Sequence, residues 1–131
     1  MSEELFNAAS KFFTRVNDSP EAQKELKKRD RRIQLEVKDD EPFHLDIKAG
    51  LLTVKKGVVA KGTLPEPVRF ETFKEALLAM FSGRLRFTHA YFPETRTNLR
   101  IRLLSGAPGG TFGGIVVGLV AKLVRIGQEL R

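Results

Sequence analysis

The sequence predicts an α+β domain, on three observations: apolar residues recur at helical spacing at both ends of the chain, alternate with polar residues through its middle, and return to helical spacing once in between. With 131 residues, the chain has the length of one ordinary domain, long enough for a real hydrophobic core and too short for two generous ones. Hydrophobic residues make up 41% and charged residues 30%, a globular balance that argues against long disorder. There is no cysteine, so disulfides, thiolate zinc sites and thiol nucleophiles are excluded and the redox compartment is left open.

From Ser2 onward, Leu5, Ala9, Phe12, Phe13 and Val16 mark one buried face of a helix running to about Asn17. Asp18-Ser19-Pro20-Glu21 opens a second, short helix, with a capping side chain before an early proline, and it ends in the basic run Lys27-Lys28-Arg29-Asp30-Arg31-Arg32. The period then becomes two. Ile33, Leu35 and Val37 form one half-buried strand, and Phe43, Leu45 and Ile47 a second across the polar turn Asp39-Asp40-Glu41-Pro42. Ala49-Gly50 makes the next turn, Leu52 and Val54 begin a third strand, and Lys56-Gly57 interrupts it. Connections this short predict an antiparallel meander.

Val68 and Phe70 predict a brief extended segment. Thr72 and Glu75 then read as a capping box for a helix with Phe73, Ala76, Leu77, Met80 and Phe81 on its apolar face and Gly83 as left-handed terminator. Leu85 to Phe92 is ambiguous: Leu85, Phe87 and His89 alternate, but Ala90, Tyr91 and Phe92 run together. Leu99, Ile101 and Leu103 predict a last strand, broken by Ser105-Gly106-Ala107-Pro108-Gly109-Gly110. From Thr111 a final helix carries Phe112, Ile115, Val116, Leu119, Leu123 and Ile126. Gly110, Gly114 and Gly118 remove side chains from one of its faces at about 1 kcal/mol each in propensity, so either something approaches that face closely or a space is left there.

The order of these elements, and three stretches in particular, resemble the sterol carrier protein family of small lipid-transfer domains. The stretches are Phe43-His44-Leu45-Asp46-Ile47-Lys48-Ala49-Gly50, the helix from Phe70 through Phe73 and Met80 to Gly83, and Ala90-Tyr91-Phe92 ahead of a late strand and an apolar C-terminal helix. The likeness runs from about Ile33 to Leu123. It implies a mainly antiparallel five-stranded sheet with helices packed on one face, and an apolar tunnel between the sheet and the C-terminal helix that accepts fatty acids, acyl-coenzyme A, sterols, isoprenoids or phospholipids. The chain departs from the family in the longer polar loop Pro93-Glu94-Thr95-Arg96-Thr97-Asn98 and in its glycine-rich 105–114 segment.

Candidates for lining such a cavity are Phe73, Leu77, Met80, Phe81, Phe87, Phe92, Leu103, Ile115, Val116 and Leu119. Each taken alone reads as core. Together they gain from the adaptable Met80 and from the glycines that thin the packing on the last helix.

No catalytic or cofactor signature is present. The Gly106 to Thr111 stretch precedes a helix, where free N–H groups attract anions, but no Gly-Lys-Ser/Thr follows and Gly-x-Gly-x-x-Gly is absent. The two histidines, His44 and His89, lack metal-ligand spacing, and Ser82, Ser105 and Thr111 lack nucleophile-elbow context. The expectation is a non-enzymatic protein with no cofactor and no metal.

The net charge of +7 directs attention to acidic partners. An anionic membrane surface or an anionic ligand head accounts for it, as does nucleic acid held on the Arg100 and Arg102 strand. The alternation of those arginines with Leu99, Ile101 and Leu103 is also what the solvent face of an ordinary strand looks like. An accessory domain that recognises a protein through an apolar groove is a third reading. The acidic start Met1-Ser2-Glu3-Glu4 is unlike a secretory signal, the apolar run from Ile115 to Ala121 is too short to cross a bilayer, and the last residues lack a peroxisomal signal, so a cytoplasmic location is expected.

Overall fold

The computed structural model describes residues 3–28, 30–60, 62, 67–91, 99–105 and 111–130, with the backbone alone for 105 and 111–115. In chain order the elements are helices α1 (Glu3–Asn17) and α2 (Pro20–Leu26), strands β1 (Arg31–Val37), β2 (Phe43–Lys48), β3 (Leu51–Lys56) and β4 (Val68–Thr72), helices α3 (Lys74–Phe81) and α4 (Phe87–Tyr91), strand β5 (Arg102–Ser105) and helix α5 (Thr111–Glu129).

The strands form one five-stranded sheet in the order β3-β2-β1-β4-β5. The meander β1-β2-β3 is antiparallel, with Ile33 opposite Leu45 and Leu45 opposite Val54. The sheet as a whole is mixed, and this corrects the mainly antiparallel expectation: β4 lies parallel to β1, with Leu35 beside Phe70 and Val37 beside Thr72. Short links do force antiparallel neighbours, but β1 and β4 are not consecutive. The β2-β3 hairpin and the chain after it supply the crossover that a parallel pair needs, and β5 then pairs antiparallel with β4.

Alternation gives the sheet two chemically different faces. Ile33, Leu35, Phe43, Leu45, Ile47 and Phe70 are buried on one. The other carries ion pairs, Lys55–Asp46 at 2.9 Å, Arg102–Glu71 at 2.9 Å and Arg69–Glu36 among them. Gln34, although buried, is satisfied there: its side chain accepts from the Val59 N–H at 2.9 Å and donates to Glu36 at 2.9 Å. The helices cover the apolar face.

Local sequence explains how most elements start and stop. The Ser19 hydroxyl accepts from the Ala22 N–H ahead of Pro20, which caps α2. At the end of α3, Gly83 takes φ +81°, its N–H bonds the Met80 carbonyl at 3.1 Å, and the Arg84 N–H bonds that of Ala79 at 2.8 Å. This pair of bonds is the Schellman arrangement. The β2-β3 hairpin turns on Ala49 (φ 53°) and Gly50 (φ 83°), two left-handed residues whose twist matches that of the strands they join.

The start of α3 differs from the expected capping box. Thr72 belongs to β4, where its hydroxyl donates to the Arg100 carbonyl at 2.9 Å, and Phe73 holds the cap position without a side-chain bond. The acceptor for the first turn comes from the β1-β2 turn instead, where Asp39 Oδ1 takes the Lys74 N–H at 2.8 Å. Edge strand β3 is closed in a similar non-local way: Asn17 at the end of α1 donates to the Leu52 carbonyl at 2.7 Å and accepts from its N–H at 3.0 Å. One side chain thus satisfies an outward-facing backbone pair on an otherwise open edge.

Candidate functional site

Helices α4 and α5 pack at the β4-β5 end of the sheet. Over β1 and β2 the core is closed, with Ile33, Leu45 and Ile47 each at most 2% exposed. On α4, β5 and α5, Tyr91, Leu103, Val117, Leu119 and Ala121 pack against the core while remaining half-buried, as do Phe6 and Ala8 on α1, Val54 on β3 and Leu78 on α3. The buried floor of this region is Phe70 on β4, Phe87 and Ala90 on α4, Ile101, and Val116 and Val120 on α5. Phe87 meets Phe70 edge-on at 6.3 Å between ring centroids and stacks on Tyr91 at 5.7 Å. The short helix α4 accounts for Phe87 to Tyr91 of the ambiguous stretch, and the Ile101 N–H donates to the Ala90 carbonyl at 3.0 Å, tying the chain before β5 to the end of α4.

The candidate lining residues fall into two groups. Phe87 on α4 and Val116 on α5 are buried, and Leu103 on β5 and Leu119 on α5 are half-buried. Leu77, Met80 and Phe81 are buried on α3, and Phe81 lies 5.0 Å from Phe12 and 5.8 Å from Phe13 of α1, inside a closed aromatic cluster. Phe73 is half-buried at the start of α3, with the Lys38 ammonium 5.8 Å from its ring centroid. Phe92 and the side chain of Ile115 lie outside the described residues. Phe70, Tyr91, Ala90 and Val120 belong to the region without having been singled out. Phe70 had a signal in the alternation of β4, whereas the place of Ala90 depends on the chain turning into α4.

Helix α5 is fastened at its C-terminal half. Lys122 pairs with Glu25 at 3.3 Å, Arg125 with Glu21 at 2.7 Å and Glu129 at 2.9 Å, and Gln128 donates to the carbonyls of Met80 at 3.0 Å and Leu85 at 2.8 Å. Two of its glycines play opposite parts. A Cβ on Gly127 would meet Phe12 Cζ at 2.2 Å, so the helix can seat on that ring only without a side chain there, whereas a Cβ on Gly118 would meet nothing within 4 Å. Gly118 is exposed, so what lies beside it is solvent and neither a close neighbour nor a gap in the packing; Gly110 and Gly114 lie in segments whose side chains are not described.

The electrostatics are those of surface pairing. The Arg69 guanidinium bonded to Glu36 holds that carboxyl below its usual range, against the opposing effect of partial burial. Arg102, the centre of the basic-strand alternative, is matched by Glu71, and Arg69 by Glu36, so the polar face of the sheet is a mixed-charge ladder rather than a bare cationic stripe. Among the described residues, no group of three His, Asp or Glu is placed to hold a metal ion, and no helix is long and apolar enough to cross a membrane.

No protein-family model matches the sequence, and a search of curated proteins finds no match either. The structure, however, is similar to the crystal structure of sterol carrier protein 2, with a TM-score of 0.62 and 16% sequence identity over 98% of this chain and 96% of the other. The chain therefore has the sterol carrier protein 2 fold, an α+β arrangement with a five-stranded sheet.

Proposed function

We propose that the protein binds and carries a lipid-like apolar ligand, held between the β4-β5 end of the sheet and helix α5, and performs no chemistry on it. The observation that carries this reading is the likeness to sterol carrier protein 2 over nearly the full length of both chains. The half-buried apolar side chains of α4, β5 and α5 support it, because a ligand site is built from core-type residues whose packing is left incomplete. An apolar chain entering there would remove Leu103, Leu119 and Tyr91 from water, at about 25 cal/mol per Å² of apolar area. The net charge of +7 would draw such a carrier toward anionic membranes, where its ligand is taken up and released.

The test is titration with a fluorescent long-chain fatty acid, on the native chain and on Leu119→Asp. Leu119 is half-buried, so the fold should tolerate the change, whereas a carboxylate against a bound alkyl chain would lose several kcal/mol of hydration. Saturable binding by the native chain, weakened at least tenfold by Leu119→Asp with an unchanged circular dichroism spectrum, is expected. Equal binding by both chains would place the ligand elsewhere, and no binding by either would overturn the carrier reading.

A further inference from the structure

Bordering that apolar region, and sharing Phe87 and Ala121 with it, the outer surfaces of α4 and α5 frame a groove of about 480 Å³, a size suited to a small molecule. Phe87 and Ala121 supply its apolar wall, and Arg86, Thr88 and Gln128 its polar one, with the cations Lys122 and Arg125 and the carboxylate of Glu129 on the α5 side. The charges around it are unequally matched. Lys122 is neutralised by Glu25 and Arg125 by Glu21 and Glu129. Gln128 has already spent both amide protons on the Met80 and Leu85 carbonyls. Arg86 is exposed and, among the described residues, has no ion-pair partner.

We propose that this groove is a second binding site, one for an amphiphile with a single negative charge, whose head pairs with Arg86 and whose short apolar stem lies along Phe87 and Ala121. One uncompensated guanidinium matches one negative charge, and its planar fork accommodates a carboxylate or a phosphodiester in bidentate fashion. A dianion would have to break the Arg125 or Lys122 pairs to be neutralised, so a doubly charged phosphate monoester is disfavoured. The Thr88 hydroxyl adds a donor beside the head. The site does not depend on a lipid being held beneath α5.

The experiment is a chemical-shift titration of the uniformly 15N-labelled full chain with octanoate and with octyl methyl phosphate, using octanol and octylammonium as controls. At least one of the two anions is expected to saturate, shifting the amides of Thr88, Ala121, Lys122 and Gln128 while the controls do not; which anion binds tells carboxylate from phosphodiester. Arg86→Gln, a change at an exposed position, should weaken that binding tenfold or more and leave long-chain fatty acid binding as it was. Three results would overturn the proposal: octanol shifting the same amides as strongly, anion binding unchanged in Arg86→Gln, or shifts confined to Leu103, Val116 and their neighbours. The last would place octanoate in the apolar region and so would speak for the carrier reading while removing the groove.

Discussion

Replacing Gly127 and Gly118 by alanine, one at a time, sets two identical chemical changes on one helix against each other. Each removes a glycine from α5 and so gains about 1 kcal/mol of helix propensity. At Gly118 nothing opposes the gain, because a Cβ there finds no atom within 4 Å. At Gly127 the new Cβ would stand 2.2, 2.5 and 2.8 Å from three atoms of the Phe12 ring. Ordinary van der Waals contact begins near 3.4 Å, so the ring must retreat by more than an ångström. It has little room to do so, being 1% exposed and packed 5.1 Å from Phe13 and 5.0 Å from Phe81. Overpacking of a closed core costs about 1–3 kcal/mol, and a displacement this large belongs at the upper end. Gly127→Ala should therefore be destabilised by about 2 kcal/mol net and Gly118→Ala stabilised by about 1 kcal/mol. Urea unfolding followed at 222 nm measures both as midpoint shifts at unchanged slope. Phe12→Leu combined with Gly127→Ala should cost less than the two changes summed, since they share one contact. A Gly127→Ala protein as stable as the native chain would refute the packing of α5 on α1 described above.

Asp39→Ala should cost about 1 kcal/mol by stripping the Lys74 N–H at the start of α3 of its acceptor, while Asp39→Asn, which keeps an oxygen there, should lose only a fraction of that in the same unfolding assay. Asn17→Ala leaves both Leu52 backbone groups on edge strand β3 without partners; a loss of about 1–3 kcal/mol is expected, together with concentration-dependent association visible by light scattering. The Glu36–Arg69 pair gives a pH dependence whose sign is fixed. Because the folded carboxyl titrates below its unfolded value, its contribution is present above the ordinary carboxylate range and is lost as pH falls through the lower, folded value. Both partners are partly exposed, so the amount is about 0.5–1 kcal/mol at most and shrinks with salt. Arg69→Gln should thus be less stable than the native chain at pH 7 and converge with it in acid, and a gap that persists in acid would assign the effect to packing.

What the sequence reveals on its own is what neighbouring residues decide. Ile33 to Val37 and Phe43 to Ile47 are legible because a strand with one wet face must alternate, and Ser19-Pro20 and Gly83 because a cap and a left-handed terminator act within a single turn. The parallel pairing of β1 with β4 is not legible in this way: it depends on which edge of β1 the chain returns to after the β2-β3 hairpin. The same limit explains the start of α3. Thr72 and Glu75 have the right spacing for a capping box, but β4 claims Thr72, and Asp39, 35 residues before Lys74, replaces it. The late strand was expected over Leu99 to Leu103 and forms at Arg102–Ser105, because the Ile101 N–H is already engaged by Ala90. Glycine spacing drew attention to Gly118, which is exposed to solvent, and passed over Gly127, whose role is set by a phenylalanine on another helix. The candidate lining residues show the same division. Apolar periodicity selects positions such as Phe81 and Leu119, but whether Phe81 closes a cluster with Phe12 or Leu119 stays half open depends on which helices meet.

The central claim is that this fold holds a lipid-like molecule, and native mass spectrometry of the freshly purified protein tests it most directly, followed by organic extraction of whatever is released. A fatty acid, acyl-coenzyme A, sterol, isoprenoid or phospholipid is expected at close to one per chain, or an empty protein that takes one up at that ratio when offered. A protein that purifies empty and takes up none of them would contradict the claim.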